Sequence, residues 1–288
     1  MKRILAALLA LCILVPATSA FAFSTEDQRV CLGANLDEAQ IAQIYKDFGI
    51  ERGTVPELTV SNSDERAYLE GLVDDAKIGH VALSCVYIAV LEPGAGLSIK
   101  TNNINWCTQQ MYINALTTAG ISDAEVRVSA PFAVSGTAAL TGVYKAYEDI
   151  SGKSLSDLAK SVGAEELVLT GELAQYIGSE EATQMINELK KILDQTQNMS
   201  DDDVRGEIRN IAKQYNVQIT DAQVEQLLAL CRKLEKLDIN ALKEKLLSMA
   251  DTIKKAGEAK EKLSGLTEKV NGFFSSVSKF ISGLFGKK

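Results

Sequence analysis

Histidine is nearly missing from this 288-residue chain, with His80 the only one. That excludes a histidine-rich metal site, and any Ser-His-Asp arrangement would have to use His80. No G-x-S-x-G nucleophile elbow accompanies it, so a structural or exposed imidazole is expected. C-x-x-C spacing is also missing, which removes thioredoxin-like and cysteine-based zinc motifs. A phosphate loop is excluded because Val143, not lysine, follows Gly142. Ser276-Val277-Ser278-Lys279 spells S-x-x-K but has no S-D-N or K-T-G companion, so it carries no weight. The acidic groups Asp74-Asp75, Glu165-Glu166 and Asp201-Asp202-Asp203 lack calcium-loop spacing, and adjacent helical residues point apart. They are expected to be solvated faces or helix N-terminal charge. No catalytic residue, metal site or cofactor is expected.

What is present begins with a leader. Lys2 and Arg3 precede the apolar run Ile4–Val15, Pro16 breaks it, and Ala20-Phe21-Ala22 forms an A-x-A cleavage site. The run is shorter than the roughly 20 residues of a membrane span, so residues 1–22 read as a signal peptide. The expected location is secreted, or on the extracellular face of the cell envelope. Residues 23–253 carry 35 acidic and 20 basic side chains, whereas residues 254–288 carry 3 and 8. An acidic body argues against nucleic acid, because phosphates would be repelled. With 46% hydrophobic residues, a real core is affordable. Cys31, Cys85, Cys107 and Cys231 remain after cleavage, and an even number in an exported chain permits disulfides of open pairing. The alternative is that Cys85 and Cys231 are buried thiols within apolar patterns.

The pattern predicts strands at Gln28–Gly33 and Glu57–Val60, with helices opening after Asp37 and after Ser61-Asn62-Ser63. His80–Leu91 and Leu97–Asn102 flank Pro93-Gly94-Ala95-Gly96 and read as a β-hairpin. A helix over Thr108–Ala119 leads to a strand over Ala124–Ala130. From Thr137 onward the pattern is helical, with Leu155–Ile177 expected to break near Gly163 and Gly171. Thr220 with Gln223 forms another capping box, and Asp238 opens a further helix. The expected fold class is α+β. A mixed-sheet domain over 23–150 precedes a helical extension over 151–197, a helical hairpin or bundle over 198–253, and a basic amphipathic tail over 254–288.

Several phrases together resemble a known family. They are Val30-Cys31-Leu32-Gly33-Ala34-Asn35-Leu36, Tyr68-Leu69-Glu70-Gly71-Leu72, Asn105-Trp106 with Met111-Tyr112, the stretch from Pro131 to Gly142, and Ile219-Thr220-Asp221-Ala222-Gln223. Over roughly residues 28–250 the chain resembles domain-of-unknown-function family 1002, exported proteins of Gram-positive bacteria. The resemblance implies export, and it brings no established activity and no catalytic residues. The segment after about residue 255 lies outside it.

Two segments stand out as candidate contact sites. Ser135, Gly136 and Thr137 follow a strand and open a helix, where free N–H groups favour an anion or polar ligand. The bland alternative is a turn capped by one of the two hydroxyls. In the tail, Phe273, Phe274, Val277, Phe280, Ile281, Leu284 and Phe285 make an apolar stripe among lysines. The stripe suits an anionic membrane surface, a wall polymer or an unidentified envelope partner, or else packing on the protein's own helices. These features point to an exported, non-enzymatic binding or interaction protein of the cell envelope. The alternative is a secreted hydrolase acting on a cell-wall or other extracellular polymer.

Overall fold

A computed structural model describes residues 24–71 and 78–247. The leader, the Asp74-Asp75 pair, the S-x-x-K motif and the tail stripe lie outside these residues. The described chain opens with β1 (Gln28–Gly33), α1 (Glu38–Phe48), β2 (Glu57–Val60) and α2 (Asn62–Leu69). β3 (Cys85–Val90), β4 (Leu97–Ile104), α3 (Gln109–Ala119) and β5 (Ala124–Val134) follow. Then come α4 (Thr137–Ser151), α5 (Asp157–Ile177), α6 (Ser179–Lys191), the single turn α7 (Leu193–Thr196), α8 (Asp201–Gln214) and α9 (Asp221–Leu234). Residues 239–247 are helical as well. The class is α+β.

Local chemistry sets most helix starts. Asp37 with Gln40, Ser61 with Asp64, and Thr220 with Gln223 close reciprocal capping boxes. Each satisfies two backbone donors that would otherwise be orphaned. Ser200 with Asp203 does the same for α8, where Asp201, Asp202 and Asp203 occupy the positive first turn.

The sheet order is β2-β1-β3-β5-β4. β1 pairs parallel with β2, β4 pairs parallel with β5, and β3 runs antiparallel to both of its neighbours. The expected hairpin is therefore corrected: β3 and β4 are not paired, because β5 lies between them. Burial explains the choice. β5 alternates Ala124, Val126 and Val128 into a core and needs a partner on each side, whereas Lys100 and the Asn102-Asn103 pair of β4 are exposed and suit an edge. Both βαβ crossovers step the same way across the sheet, yet α1 and α3 cover opposite faces. They are consequently of opposite hand, so one is the rare left-handed kind.

Under α1, Val30, Leu32, Cys85 and Tyr87 pack with Ile44, Tyr45 and Phe48. On the other face Cys31, Val86, Ile88, Val126 and Val128 pack with α3 and α4. A third core joins α5, α6, α8 and α9. α5 serves two of these cores: Ala164, Leu167 and Val168 face the sheet side, and Val162, Leu169 and Leu173 face the helices.

α5 is continuous, which corrects the expected break at its two glycines. Both are sites of close approach. A Cβ on Gly163 would stand 2.6 Å from the Ala115 carbonyl oxygen and 2.8 Å from the Tyr144 hydroxyl, and one on Gly171 would stand 2.5 Å from the Trp106 ring. Gly163→Ala gains about 1 kcal/mol of helix propensity. Overpacking costs about 1–3 kcal/mol, so net destabilisation is expected as a lowered melting temperature.

Glu166 also departs from expectation. It is not on a solvated face but fully buried, 2.7 Å from the equally buried ammonium of Lys190. Glu165 pairs with Lys233 at the helical side. All four cysteines are free and buried. Cys31 and Cys85 sit on neighbouring strands but point to opposite faces, and Cys231 lies in the helical core. Burial pushes the thiols up, to about 12 for Cys31, Cys85 and Cys107 and about 11 for Cys231. A reductant is expected to leave the melting temperature unchanged, and a thiol reagent to label the protein only after unfolding.

Candidate functional site

A cleft of about 400 Å³ opens where β5 passes into α4. Glu65 of α2 lines it, as do Ser84 on the approach to β3 and Asn105 and Trp106 ahead of α3. Ala133, Val134 and the Ser135-Gly136-Thr137 turn complete the polar end, while Ile78, Val81 and Leu83 form an apolar wall. The three residues singled out from sequence therefore share one cleft.

The turn has a demanding backbone. Gly136 sits at φ 94° and is the N-cap of α4. A Cβ there would come within 2.5 Å of the Tyr112 hydroxyl and 2.6 Å of Ile104 Cγ2. Glycine is thus required both by the left-handed conformation and by space. The Tyr112 hydroxyl donates to the Gly136 carbonyl at 2.5 Å, and the Cys107 N–H donates to the Ser135 carbonyl at 3.0 Å. These bonds fix the turn from the α3 side.

Gly136, as N-cap, offers α4 no side-chain cap, and no other described side chain accepts from its first N–H groups. The hydroxyls that could have done so are engaged elsewhere: Ser135 Oγ and Thr137 Oγ1 lie 3.2 Å apart, and Thr137 donates to the Glu65 carboxylate. The first N–H groups of a helix have no intrahelical acceptors, and together they carry a partial positive charge. Ser84 adds an independent feature. It is only 2% exposed, and its hydroxyl has no hydrogen-bond partner among the described residues. A buried hydroxyl left unpaired costs about 1–3 kcal/mol, an expense a bound polar group would remove.

Glu65 is 1% exposed. Burial pushes its carboxyl up to about 7, against the opposing pull of hydrogen bonds from Thr137 and Asn62 and the charge of Arg66. Sequence reasoning passed over this residue. A signal existed, because Glu65 lies three and four residues before Tyr68 and Leu69, on the apolar face of α2. Ser84 carried no signal of its own. His80 is exposed and lies outside the cleft lining.

A second hollow of about 380 Å³ lies between α5 and α9, lined by Tyr176, Thr220 and Gln223 among others. Its Thr220 and Gln223 side chains are already bonded to backbone in the capping box, so it offers less unmet polar demand. Among the described residues there is no cluster of histidine, cysteine or carboxylate side chains suited to a metal ion, and no helix long and apolar enough to cross a membrane.

Comparison with known proteins shows the family. A family model described as "Protein of unknown function (DUF1002)" matches residues 32–249. The chain belongs to the DUF1002 family. It is 36% identical over 292 residues to the "Uncharacterized protein YpuA" of Bacillus subtilis (strain 168), an alignment covering 99% of this chain and all of that protein. No solved structure matches. The cleft residues Glu65, Ser84, Trp106 and Ser135–Thr137 all fall inside the DUF1002 match.

Proposed function

We propose that this DUF1002 protein is an exported, non-enzymatic binding protein of the cell envelope that holds a small polar ligand in the cleft at the start of α4. The observation that carries the reading is the unmet polar demand there: an uncapped helix N-terminus beside the buried, unpartnered Ser84 hydroxyl. Among the described residues the cleft brings together no pair of titratable groups of the kind hydrolysis uses. Among the described lining residues Glu65 is the only carboxyl, and neither histidine nor lysine joins it. The leader supports export, and the stripe from Phe273 to Phe285 with its lysines supports contact with an anionic envelope surface.

One observation favours the hydrolase alternative, the chain of hydroxyls from Ser135 through Thr137 to the near-neutral Glu65. Calorimetric titration separates the two readings. A polar fragment held in the cleft should bind and return unchanged, and cleavage of an N-acetylated oligosaccharide that is lost in Glu65→Gln would establish the hydrolase instead. Deletion of Asn271–Lys288 should reduce sedimentation with phosphatidylglycerol vesicles without altering the melting temperature. Equal sedimentation of the truncated chain would remove the envelope-surface half of the proposal.

A further inference from the structure

The pairing of β5 changes along its length. Its ladder with β3 ends at the Cys85–Ser129 pair, but β5 itself continues to Val134. On the opposite side β4 stays with it, through the Ile104–Val134 register and the Asn103 amide donating to the Ala130 carbonyl at 2.8 Å. Among the described residues no strand pairs with Ala130–Val134 on the β3 side, and Ala133 and Val134 line the cleft. This open edge runs directly into the uncapped N-terminus of α4.

An open strand edge accepts an extended peptide, and a helix N-terminus accepts a carboxylate. Here the two stand in line. We propose that the cleft captures the C-terminal end of a short peptide, the chain lying along the Ala130–Val134 edge and its terminal carboxylate resting on the first N–H groups of α4 and the Ser84 hydroxyl. The inference rests on the binding reading above and names its ligand class.

Three details select this class. The described lining has no lysine or arginine, the side chains that phosphate and polyanion sites recruit, whereas a single carboxylate needs only the helix terminus and hydroxyl donors. Ile78, Val81 and Leu83 supply an apolar wall for small side chains. Pro131, on the same edge, lacks an N–H and limits the length over which an added strand could pair. Glu65 would face the incoming carboxylate. The groups acting on it are Arg66 and Asn62 from its own helix and Thr137 from α4, with Cys107 and Tyr112 coupled to it by charge. Its raised pKa keeps it largely protonated at pH 6, where it can share its proton with the ligand rather than repel it.

The test is calorimetry on the full chain at pH 6 with N-acetyl-trialanine and its C-terminal amide. The free acid is expected to bind at least about tenfold more tightly than the amide, and Ser84→Ala to weaken the acid by about tenfold while leaving the amide unchanged. Ala133→Pro, which removes the edge N–H, should weaken both peptides, and an unchanged circular dichroism spectrum confirms that each variant folds. Equal affinity for acid and amide overturns the proposal, as does acid binding indifferent to Ser84. If inorganic phosphate or an N-acetylated disaccharide binds in a Ser84-dependent way and the peptide acid does not, the ligand class is wrong while the binding reading stands. If none of the probes binds, both fail.

Discussion

Lys190→Met is expected to lower the unfolding free energy by about 3–5 kcal/mol, read as a fall in the urea midpoint at unchanged slope. Lys190 and Glu166 are both fully buried, with 2.7 Å between ammonium and carboxylate. The ammonium also donates to the Asn114 carbonyl at 3.3 Å, and the Thr118 hydroxyl donates to Glu166. Removing the lysine leaves a carboxylate sealed in a low-dielectric interior with one neutral donor. The cost comes from that stranded charge, because ion-pair attraction and desolvation nearly cancel while both partners are present. The double variant Lys190→Met with Glu166→Leu should therefore recover most of the loss. A double variant no more stable than the single would show that shape, not charge, sets the penalty. The position matters because the pair ties α3, α5 and α6 together, and α5 is shared between the sheet core and the helical core.

Glu65 should make the protein more stable in mild acid than at alkaline pH. Its carboxyl titrates near 7 when folded, against an ordinary value of 4.5. Between those values the folded chain holds a proton that the unfolded chain has released. The associated stability is complete below about pH 4.5 and is lost as pH rises through 7. The difference of about 2.5 units corresponds to about 3 kcal/mol. Glu65→Gln keeps an oxygen to accept from Thr137 and cannot ionise, so it should come within about 1 kcal/mol of the parent at pH 5 and exceed it by about 3 kcal/mol at pH 8. Urea unfolding at both pH values checks this, with the parent-minus-variant difference isolating Glu65 from other carboxylates. A difference independent of pH would mean that the folded carboxyl titrates normally.

The elements that could be read directly from sequence are those governed by neighbours along the chain. The capping boxes at Asp37 and Thr220 start their helices as their spacing indicates, and Gly49 ends α1 in a left-handed turn, whereas α2 starts at Asn62 under a Ser61–Asp64 box, two residues ahead of the Asp64 that the pattern suggested. The Ser135–Thr137 turn was recognisable too, since a strand passing into a helix through glycine has a local signature. The strand order was not. A Pro-Gly turn between two apolar runs fits a hairpin equally well whether or not a third strand, 20 residues later, inserts between them. Glu166 and Lys190 give no local sign of pairing, because 24 residues separate them and each also suits an exposed helix face. Gly163 and Gly171 show the same limit in reverse. A glycine in a helical pattern reads as a break until the Ala115 carbonyl and the Trp106 ring are known to press against it. In the cleft the turn was the clearest local signal, and Glu65 showed only as a carboxyl at helical spacing from Tyr68 and Leu69. Ser84 and Glu65 reach it from separate segments through tertiary packing alone.

The four sealed thiols carry a consequence for the history of each molecule. With every described cysteine interior, the folded part keeps no covalent record of the solution in which it folded. Oxidising and reducing surroundings should yield the same native state, with no isomerase needed to sort pairings and no mispaired species to clear. Its quality control would then rest entirely on packing, and on whether glycines such as Gly136 and Gly163 let neighbouring segments close.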